Sequence, residues 1–231
     1  MCGQFAILGS LKAIKDYYNF LKNGSFVLDE DDFYNFESEL LSNLPNEIVK
    51  PMNWVPIVTS DLTLRSHNFT FQDVIPSQIE GVGERSGKIK ILPARWGLIP
   101  FWAKDEKVAY KTINARQETL AEKPSFKYAY HQRRCLIPFT GFYERDNKTI
   151  ENKNFEDIFF QTSKKEKLLF FSNPNNNIKS FAGLYEIWGQ EKLVTFTIVT
   201  CPANEEISKI HHRMPVILDE FEAYKWLTNI G

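Results

Sequence analysis

The sequence predicts an α+β fold with a mainly antiparallel, curved β sheet, and three observations support this prediction. Segments rich in β-branched and aromatic residues dominate the second half of the chain. Segments with helical periodicity lie at both ends and near the middle. Aromatic residues make up 14% and apolar residues 43% of the 231 residues, so the chain can form a core and is not wholly disordered. We expect one domain over residues 1–231.

Three segments are predicted to be helical. Residues 11–22 form the first. Residues 29–44 form an amphipathic second helix, whose acidic first turn suits the helix dipole. The third begins near Asp219, because Asp219 and Glu222 have the spacing of a capping box. Its apolar residues are Phe221, Tyr224 and Leu227.

The predicted strands alternate or are rich in β-branched and aromatic residues. They cover residues 89–92, 134–137, 158–162, 168–171, 181–188 and 193–200. Residues 76–88, with three glycines, and the Asn-rich residues 172–177 are predicted to be loops.

The formal net charge of -1 hides an uneven distribution. Residues 1–84 carry a net charge of -7, residues 85–134 carry +8 and residues 135–231 carry -2. The basic segment also contains seven aromatic residues, and a groove for single-stranded nucleic acid needs both charge for phosphates and flat rings for bases. The alternative interpretation is a solvated surface beside ordinary core aromatics.

The cysteines and histidines do not indicate a disulfide framework or a metal site. Cys2, Cys135 and Cys201 are odd in number, and no Cys-x-x-Cys pair occurs. No His-Glu-x-x-His motif occurs, and adjacent His211 and His212 cannot both face one metal on a regular element. There is no signal-peptide pattern and no membrane-length apolar run. We therefore expect a soluble, reduced, intracellular protein without metal or cofactor, in which Cys135 and Cys201 are buried in strands.

Cys2 has a chemistry that no internal cysteine has. Removal of Met1 would expose an α-amine, with a pKa of about 7.7–8.0, beside a thiol with a pKa of about 8.5. An aldehyde can form a Schiff base with this amine, and the thiol can then close a five-membered thiazolidine ring. The alternative is an ordinary residue near a frayed terminus.

Three further residues are candidates for a site. His211 precedes Arg-Met-Pro and an apolar run, which indicates a sharp transition into a strand that would hold the imidazole for proton transfer. Glu144, flanked by Phe142 and Tyr143, is a candidate for a desolvated carboxylate with a raised pKa, or else a turn carboxylate in water. Asn114 is either a site residue or the N-cap of a helix.

The motifs taken together are more specific than any one of them. MCG begins the chain, and six further motifs follow: WGLIPFW (96–102), INARQET (113–119), RRCLIPFTGFYE (133–144), FAGLYEIW (181–188), FTIVTCPAN (196–204) and IHHRMPVIL (210–218). In this order they resemble the SRAP family, the SOS response-associated peptidases, over nearly the whole chain.

This resemblance implies a compact α+β fold with a barrel-like β core, peripheral helices and a positively charged DNA channel. Family members recognise abasic sites in single-stranded or junction DNA and form a thiazolidine link through the N-terminal cysteine. The implied catalytic residues are Cys2, Asn114, Glu144 and His211. In the working hypothesis the Cys2 amine attacks the aldehyde, His211 and Glu144 move protons, and Asn114 positions the amine. Glu144 also assists reversal of the link, a lyase step.

The resemblance also implies DNA contacts. Arg116 of the Asn-Ala-Arg motif is expected to contact DNA, and Trp102 matches an aromatic wedge. Nearby Lys111 and Arg213 are expected to hold flanking phosphates, and Asn53 in MNWVP is a further candidate.

The sequence departs from the family pattern at three positions. Gln4 replaces an arginine, Arg145 an aromatic residue, and His212 an acidic residue. We expect these changes to affect affinity or DNA preference more than chemistry. The chain also ends soon after the last predicted helix, which indicates either a short branch of the family or a truncated chain.

Two other functions remain open. The first is an N-terminal-nucleophile peptidase or amidohydrolase. The peptide chemistry that the sequence implies most directly is the removal of Met1, either by an aminopeptidase or by the protein itself. The second is a module that binds single-stranded DNA without covalent capture. We expect the protein to be a monomer in the cytosol or nucleoid, with no membrane partner.

Overall fold

A computed structural model describes residues 3–8, 10–24, 26–28, 48–60, 87–145, 168–172 and 177–228. Among these residues, no helix has both the length and the apolar composition needed to span a membrane. The strands in chain order are β1 (Gln4–Ala6), β2 (Phe26–Leu28), β3 (Trp54–Ser60), β4 (Gly87–Trp96), β5 (Asn114–Arg116), β6 (Arg134–Phe139), β7 (Gly141–Arg145), β8 (Leu168–Ser172), β9 (Lys179–Trp188), β10 (Leu193–Pro202), β11 (Arg213–Pro215) and β12 (Ile217–Leu218). The α-helices are α1 (Leu11–Tyr17), α2 (Pro124–Gln132), α3 (Glu205–Ser208) and α4 (Glu220–Thr228), and 3₁₀ helices cover Tyr18–Gly24, Glu106–Lys111 and Gln117–Thr119.

Five strands close into a barrel-like core. They pair in the order β10, β4, β3, β6 and β9, and β9 pairs again with β10. The pairings around this ring are antiparallel except for β4 with β10. The α+β class, the mainly antiparallel curved sheet and the barrel-like core are therefore confirmed.

Aromatic side chains fill the interior of this barrel. The Phe139 and Phe181 rings stack with their centroids 3.6 Å apart, and the Trp96 and Phe196 rings stack at 6.3 Å. Phe5 lies edge-on to Trp96 and Phe181. Each buried ring of this size contributes about 1.5–3 kcal/mol relative to exposure. Because Phe5 comes from β1, the same packing anchors the N-terminal strand to the core.

A second, three-stranded sheet has the order β1, β7, β8. In this sheet Gln4 pairs with Tyr143, and Ala6 pairs with Gly141. Thr140 strengthens the attachment, because its Oγ1 accepts a hydrogen bond from the Leu8 N–H at 3.0 Å. The sheet therefore holds the first described residues of the chain beside the strand that carries Glu144.

Most predicted elements within the described residues agree with the structure, with local corrections. Residues 11–22 were expected to be one helix, but α1 ends at Tyr17 and a 3₁₀ helix follows. Tyr18 is fully buried and its hydroxyl bonds the Ser180 hydroxyl at 2.9 Å, a tertiary contact that local periodicity cannot report. Gly87 and Lys88, predicted as loop, begin β4. The predicted helix at 29–44 and strand at 158–162 lie outside the described residues.

The predicted capping box at the last helix is confirmed. The Glu222 N–H donates to Asp219 Oδ1 at 2.7 Å, and the Asp219 N–H donates to Glu222 Oε2 at 3.0 Å. The helix α4 begins directly after Asp219, as this reciprocal pattern requires. Phe221, in the first turn of this helix, is 66% exposed.

Candidate functional site

The carboxyl end of β10 lies between two short strands. On one edge β5 pairs in parallel, with Thr200 opposite Arg116. On the other edge β11 pairs antiparallel, with Thr200 opposite Pro215. This arrangement brings the Asn-Ala-Arg segment and the segment that follows His211 to one end of one strand.

Asn114 is the first residue of β5, so the expectation that it caps a helix is wrong. The Ile113 carbonyl accepts hydrogen bonds from the Ile198 N–H at 3.1 Å and from Trp96 Nε1 at 2.8 Å. These two bonds draw the segment against β10 as a parallel strand. Helical conformation begins only at Gln117, after the exposed Arg116. The Asn114 side chain is therefore carried by an element anchored to the barrel core.

Glu144 is a buried carboxylate on β7, with 2% of its surface exposed. It pairs with Leu169 of β8, so it lies in a strand and not in a turn. Burial raises its pKa above the ordinary value, while the positive charges of the chain's amino terminus and of His212 act in the opposite direction. The predicted desolvation is confirmed, and the carboxyl group can hold a proton at a higher pH than a solvated glutamate does.

His211 is held by the backbone of the residue two positions later. Its Nδ1 lies 3.0 Å from the Arg213 nitrogen and 3.1 Å from the Arg213 carbonyl oxygen. In the tautomer with the proton on Nδ1, the ring donates to this carbonyl oxygen, and Nε2 carries the lone pair that can accept a proton. Burial is the main cause that lowers the pKa of His211, which favours this neutral form. The predicted sharp transition into a strand is confirmed, since β11 begins at Arg213.

His212 lies next to this imidazole. The two rings stack with centroids 4.4 Å apart. The charge of His211 is the main cause that lowers the pKa of His212, and Arg116 also contributes. His212 in turn lowers the pKa of Glu144. Electrostatic influence therefore links Glu144, both histidines and Arg116.

Arg213 was expected to hold a phosphate, but its side chain is only 9% exposed and already paired. Its guanidinium binds both carboxylate oxygens of Glu118, at 2.6 and 3.1 Å, and the carbonyl oxygen of Thr200 at 2.5 Å. Sequence reasoning did not single out Glu118 or Thr200. The sequence feature that could have indicated Glu118 is its position within the INARQET motif.

Asn53 also has a role within the fold. Its Oδ1 accepts a hydrogen bond from the Lys50 N–H at 2.8 Å, and its carbonyl accepts one from the Trp96 N–H at 2.9 Å. Within this turn Met52 has a φ of 72°, and its Cε would lie 2.8 Å from a Cβ added at Gly97, where φ is +125°. The positive φ, together with the Ala109 carbonyl oxygen 2.9 Å from such a Cβ, explains why position 97 needs glycine. The turn therefore locks the end of β4 that leads to Trp102.

The basic and aromatic segment divides into internal and exposed parts. Arg95, Arg133 and Arg134 are occupied by Glu106, by Glu186 and by the Tyr130 carbonyl, respectively. Trp96 and Phe126 are buried. The exposed remainder comprises Phe101, Trp102, Tyr110, Lys104, Lys107, Lys111, Arg116, Lys123 and Lys127. Trp102 is 51% exposed and Tyr110 68%, so rings and cations share one exposed stretch of sequence.

The cysteines do not share one environment. Cys2 lies outside the described residues. Cys135 is buried in β6, as expected, and burial raises the pKa of its thiol well above the ordinary value. Cys201 lies in β10 as predicted but is half-buried, which corrects the expectation that it is buried.

Comparisons with known proteins show which sequences this chain resembles. The family model described as SOS response associated peptidase (SRAP) matches residues 1–230. Abasic site processing protein YoqW of Bacillus subtilis (strain 168) is 42% identical over 159 residues, covering 68% of this chain and 63% of the relative. Abasic site processing protein HMCES of Gallus gallus is 36% identical over 151 residues, covering 59% of this chain and 45% of the relative. The chain thus spans less than two thirds of the length of these curated relatives.

A solved structure supports the fold. A crystal structure of a protein from Bacteroides thetaiotaomicron matches 98% of this chain and 81% of its own chain. The TM-score is 0.64 at 24% sequence identity. The similarity in fold therefore covers nearly the whole chain.

Proposed function

Because the chain belongs to the SRAP family, we propose that it recognises abasic sites in single-stranded or junction DNA and captures them covalently through Cys2. The observation that carries the proposal is the buried carboxylate of Glu144 on the strand paired with β1. In the observed register Gln4 lies opposite Tyr143, the residue before Glu144. Cys2 precedes Gly3, and consecutive Cα atoms are about 3.8 Å apart.

The reaction begins with removal of Met1, the peptide chemistry that the family name implies. The Cys2 amine then attacks C1′ of the ring-opened sugar, an aldehyde, and forms a carbinolamine. Loss of hydroxide with a proton, released as water, leaves a C=N bond. The Cys2 thiolate adds to this carbon and the nitrogen gains a proton, so the product thiazolidine differs from the reactants by one water.

The described residues supply proton transfer and orientation. Glu144, whose pKa is raised by burial, donates the proton to the departing hydroxyl. Neutral His211 accepts a proton from the attacking amine and releases it to solvent. It then accepts the proton of the thiol and delivers it to the ring nitrogen as the thiolate adds. Asn114 orients the amine from β5. Run in reverse, protonation by Glu144 opens the ring and releases the lesion, which is the lyase component of the proposal.

DNA binding uses exposed groups. Arg116 and Lys111 contact phosphates, and Trp102 acts as the wedge against a base. Asn53 and Arg213 act indirectly, through the turn and the strand end that they hold. A cytosolic or nucleoid location, where thiols stay reduced, fits a reactive Cys2.

The direct test uses an oligonucleotide with one abasic site. The protein should give a covalent complex that resists heat and detergent, and intact mass should show loss of Met1 and of one water. Cys2→Ser keeps an amine and a weaker nucleophile, so it should give a reducible Schiff base but no stable link. A stable link of equal yield from Cys2→Ala would overturn the proposal.

The rival functions give different outcomes in the same experiment. Binding that is fully reversed by salt, with no covalent species, would favour a non-covalent single-strand module. Robust turnover of casein or glutamine without DNA would favour an N-terminal-nucleophile peptidase or amidohydrolase. Sedimentation at micromolar concentration should show a monomer.

A further inference from the structure

A carboxylate that the proposed reaction does not use lies beside the site. Glu118 follows β5 and forms two hydrogen bonds with the guanidinium of Arg213, which begins β11. The two residues are 95 positions apart in the chain. Planar, bidentate pairs of this kind fix orientation as well as distance.

Arg213 joins this carboxylate to the barrel. Its Nη2 also donates to the carbonyl oxygen of Thr200 at 2.5 Å and to the Thr200 hydroxyl at 3.2 Å. Thr200 lies on β10 between β5 and β11. One guanidinium therefore connects the segment after β5, the end of β10 and the start of β11.

The backbone of the same arginine holds the imidazole of His211. Its nitrogen lies 3.0 Å from Nδ1, and its carbonyl oxygen lies 3.1 Å from the same ring nitrogen. A shift of the Arg213 backbone would therefore move the ring or break its hydrogen bond. The guanidinium of Arg213 is held by both Thr200 and Glu118.

We infer that Glu118 is a positioning residue for His211, acting through Arg213. This inference rests on the proposed function only for the identity of the reaction, because the contacts themselves do not depend on it. Glu118 fixes the position of the Arg213 side chain, and the Arg213 backbone fixes the position of the His211 imidazole. Glu118 does not itself touch the DNA aldehyde.

A phosphate contact is the competing role for Arg213. The Arg213 side chain is 9% exposed, whereas that of Glu118 is 45% exposed. Both oxygens of Glu118 occupy the Nη1 and Nη2 positions that a phosphate would need. The pair is therefore a completed contact within the protein, and the exposed partner is the one that can be changed without opening the core.

Glu118 also balances charge near the imidazole. Burial is the main cause that lowers the pKa of His211, and the hydrogen bond with the Arg213 backbone opposes it. The positive charges of the chain's amino terminus and of Arg213 lower this pKa further. His212 stacks on the ring. In Glu118→Gln the positive charge of Arg213 loses its counterion. The pKa of His211 should then fall further.

The experiment combines two measurements on the full chain. The His211 Cε1–H signal, assigned with a His212→Gln variant, is titrated by NMR in wild type and in Glu118→Gln. The rate of cross-linking to abasic DNA is measured from pH 5 to 8. We expect the His211 pKa and the acid limb of the rate profile to fall together, and the rate at pH 7 to fall roughly 10- to 100-fold.

Two further variants separate positioning from general damage. Glu118→Asp keeps the charge but shortens the side chain, so it should restore the His211 pKa and recover only part of the rate. Glu122→Gln removes an exposed carboxylate four residues away and should change neither measurement. Unfolding midpoints of all variants should stay close to that of wild type.

The outcomes distinguish this inference from the proposed function. If wild type forms no cross-link, the proposed function fails, and the NMR titration still decides whether Glu118 controls His211. If wild type cross-links but Glu118→Gln keeps the wild-type rate, acid limb and His211 titration, the positioning role is overturned.

Discussion

Two arginine–glutamate pairs in this protein have the same contact distance and opposite consequences. Arg133 Nη1 lies 2.6 Å from Glu186 Oε2, between the end of α2 and β9. Arg213 Nη1 lies 2.6 Å from Glu118 Oε1, at the end of β10. The Glu186 side chain is 2% exposed and that of Glu118 is 45% exposed.

The exposure decides the direction in which each pKa moves. Burial raises the pKa of Glu186 to about 7 even though Arg133 opposes the rise. The hydrogen bond from Arg213 is the main cause that lowers the pKa of Glu118, because water still solvates that carboxylate. An ion pair thus stabilises the charged form only where desolvation does not outweigh it. The Arg133–Glu186 pair is part of the protein interior, whereas the Arg213–Glu118 pair lies at the surface next to His211.

The largest effect is expected from breaking the interior pair. Arg133→Ala leaves the carboxylate of Glu186 buried without its counterion, which should cost about 3–5 kcal/mol of unfolding free energy. Urea denaturation at pH 8 measures the loss. The double variant Arg133→Met with Glu186→Leu replaces both charges by apolar groups and should lose much less. Equal losses for the two variants would show that packing, and not the uncompensated charge, matters at this position.

The second effect is a dependence of stability on pH. The folded-state pKa of Glu186 rises from 4.5 to about 7, so the folded state binds this proton more tightly than the unfolded state. Its contribution is therefore fully present below pH 4.5 and is lost as pH rises toward 7, by up to about 3 kcal/mol. Denaturation between pH 4.5 and 7.5 should show this fall in wild type. In Glu186→Gln it should be absent, and its persistence there would contradict the assignment.

Two tryptophans differ in exposure in the same way as the two ion pairs. Trp96 is buried and donates to the Ile113 carbonyl, whereas Trp102 is 51% exposed. Trp102→Ala should weaken binding to single-stranded DNA by about 1–3 kcal/mol with an unchanged unfolding midpoint. Fluorescence anisotropy with a labelled oligonucleotide measures the affinity. Phe221→Ala removes another exposed ring, 66% exposed on α4, and serves as the control.

The smallest effect is expected from the exposed pair in the absence of DNA. The pKa of Glu118 is lowered in the folded state, so its contribution is present above the unfolded value and is lost as pH falls through the folded pKa. Because the carboxylate is nearly half exposed, this contribution should stay below about 1 kcal/mol. Thermal unfolding of wild type and Glu118→Gln should differ slightly at pH 7 and converge at lower pH. A loss at pH 7 as large as that of Arg133→Ala would make Glu118 a structural residue.

Local patterns predicted the elements whose signals are local. The predicted strand segments 134–137, 168–171, 181–188 and 193–200 all fall within observed strands. The capping box at Asp219 was also found, because both of its hydrogen bonds join residues three positions apart. Such patterns need no knowledge of the rest of the chain.

Other elements depend on partners that are distant in sequence. Asn114 has a residue type favoured at helix N-caps, yet parallel pairing with β10 makes it the start of a strand. The short strands β1 and β7 were not predicted, because each depends on pairing with strands that are distant in sequence. Their pairing places Glu144 beside the first described residues of the chain.

The sequence by itself determined the chemistry available to this protein: a possible 1,2-aminothiol at Cys2, a carboxylate at Glu144, an imidazole at His211, and a basic segment with aromatic residues. It also determined the family, through the order of its motifs. Only the tertiary structure decided which charges are available. It directs Arg213 to Glu118 and Arg133 to Glu186, and it buries Glu144. The physical reason is that desolvation and ion pairing depend on contacts across the barrel, which residue type and spacing do not encode.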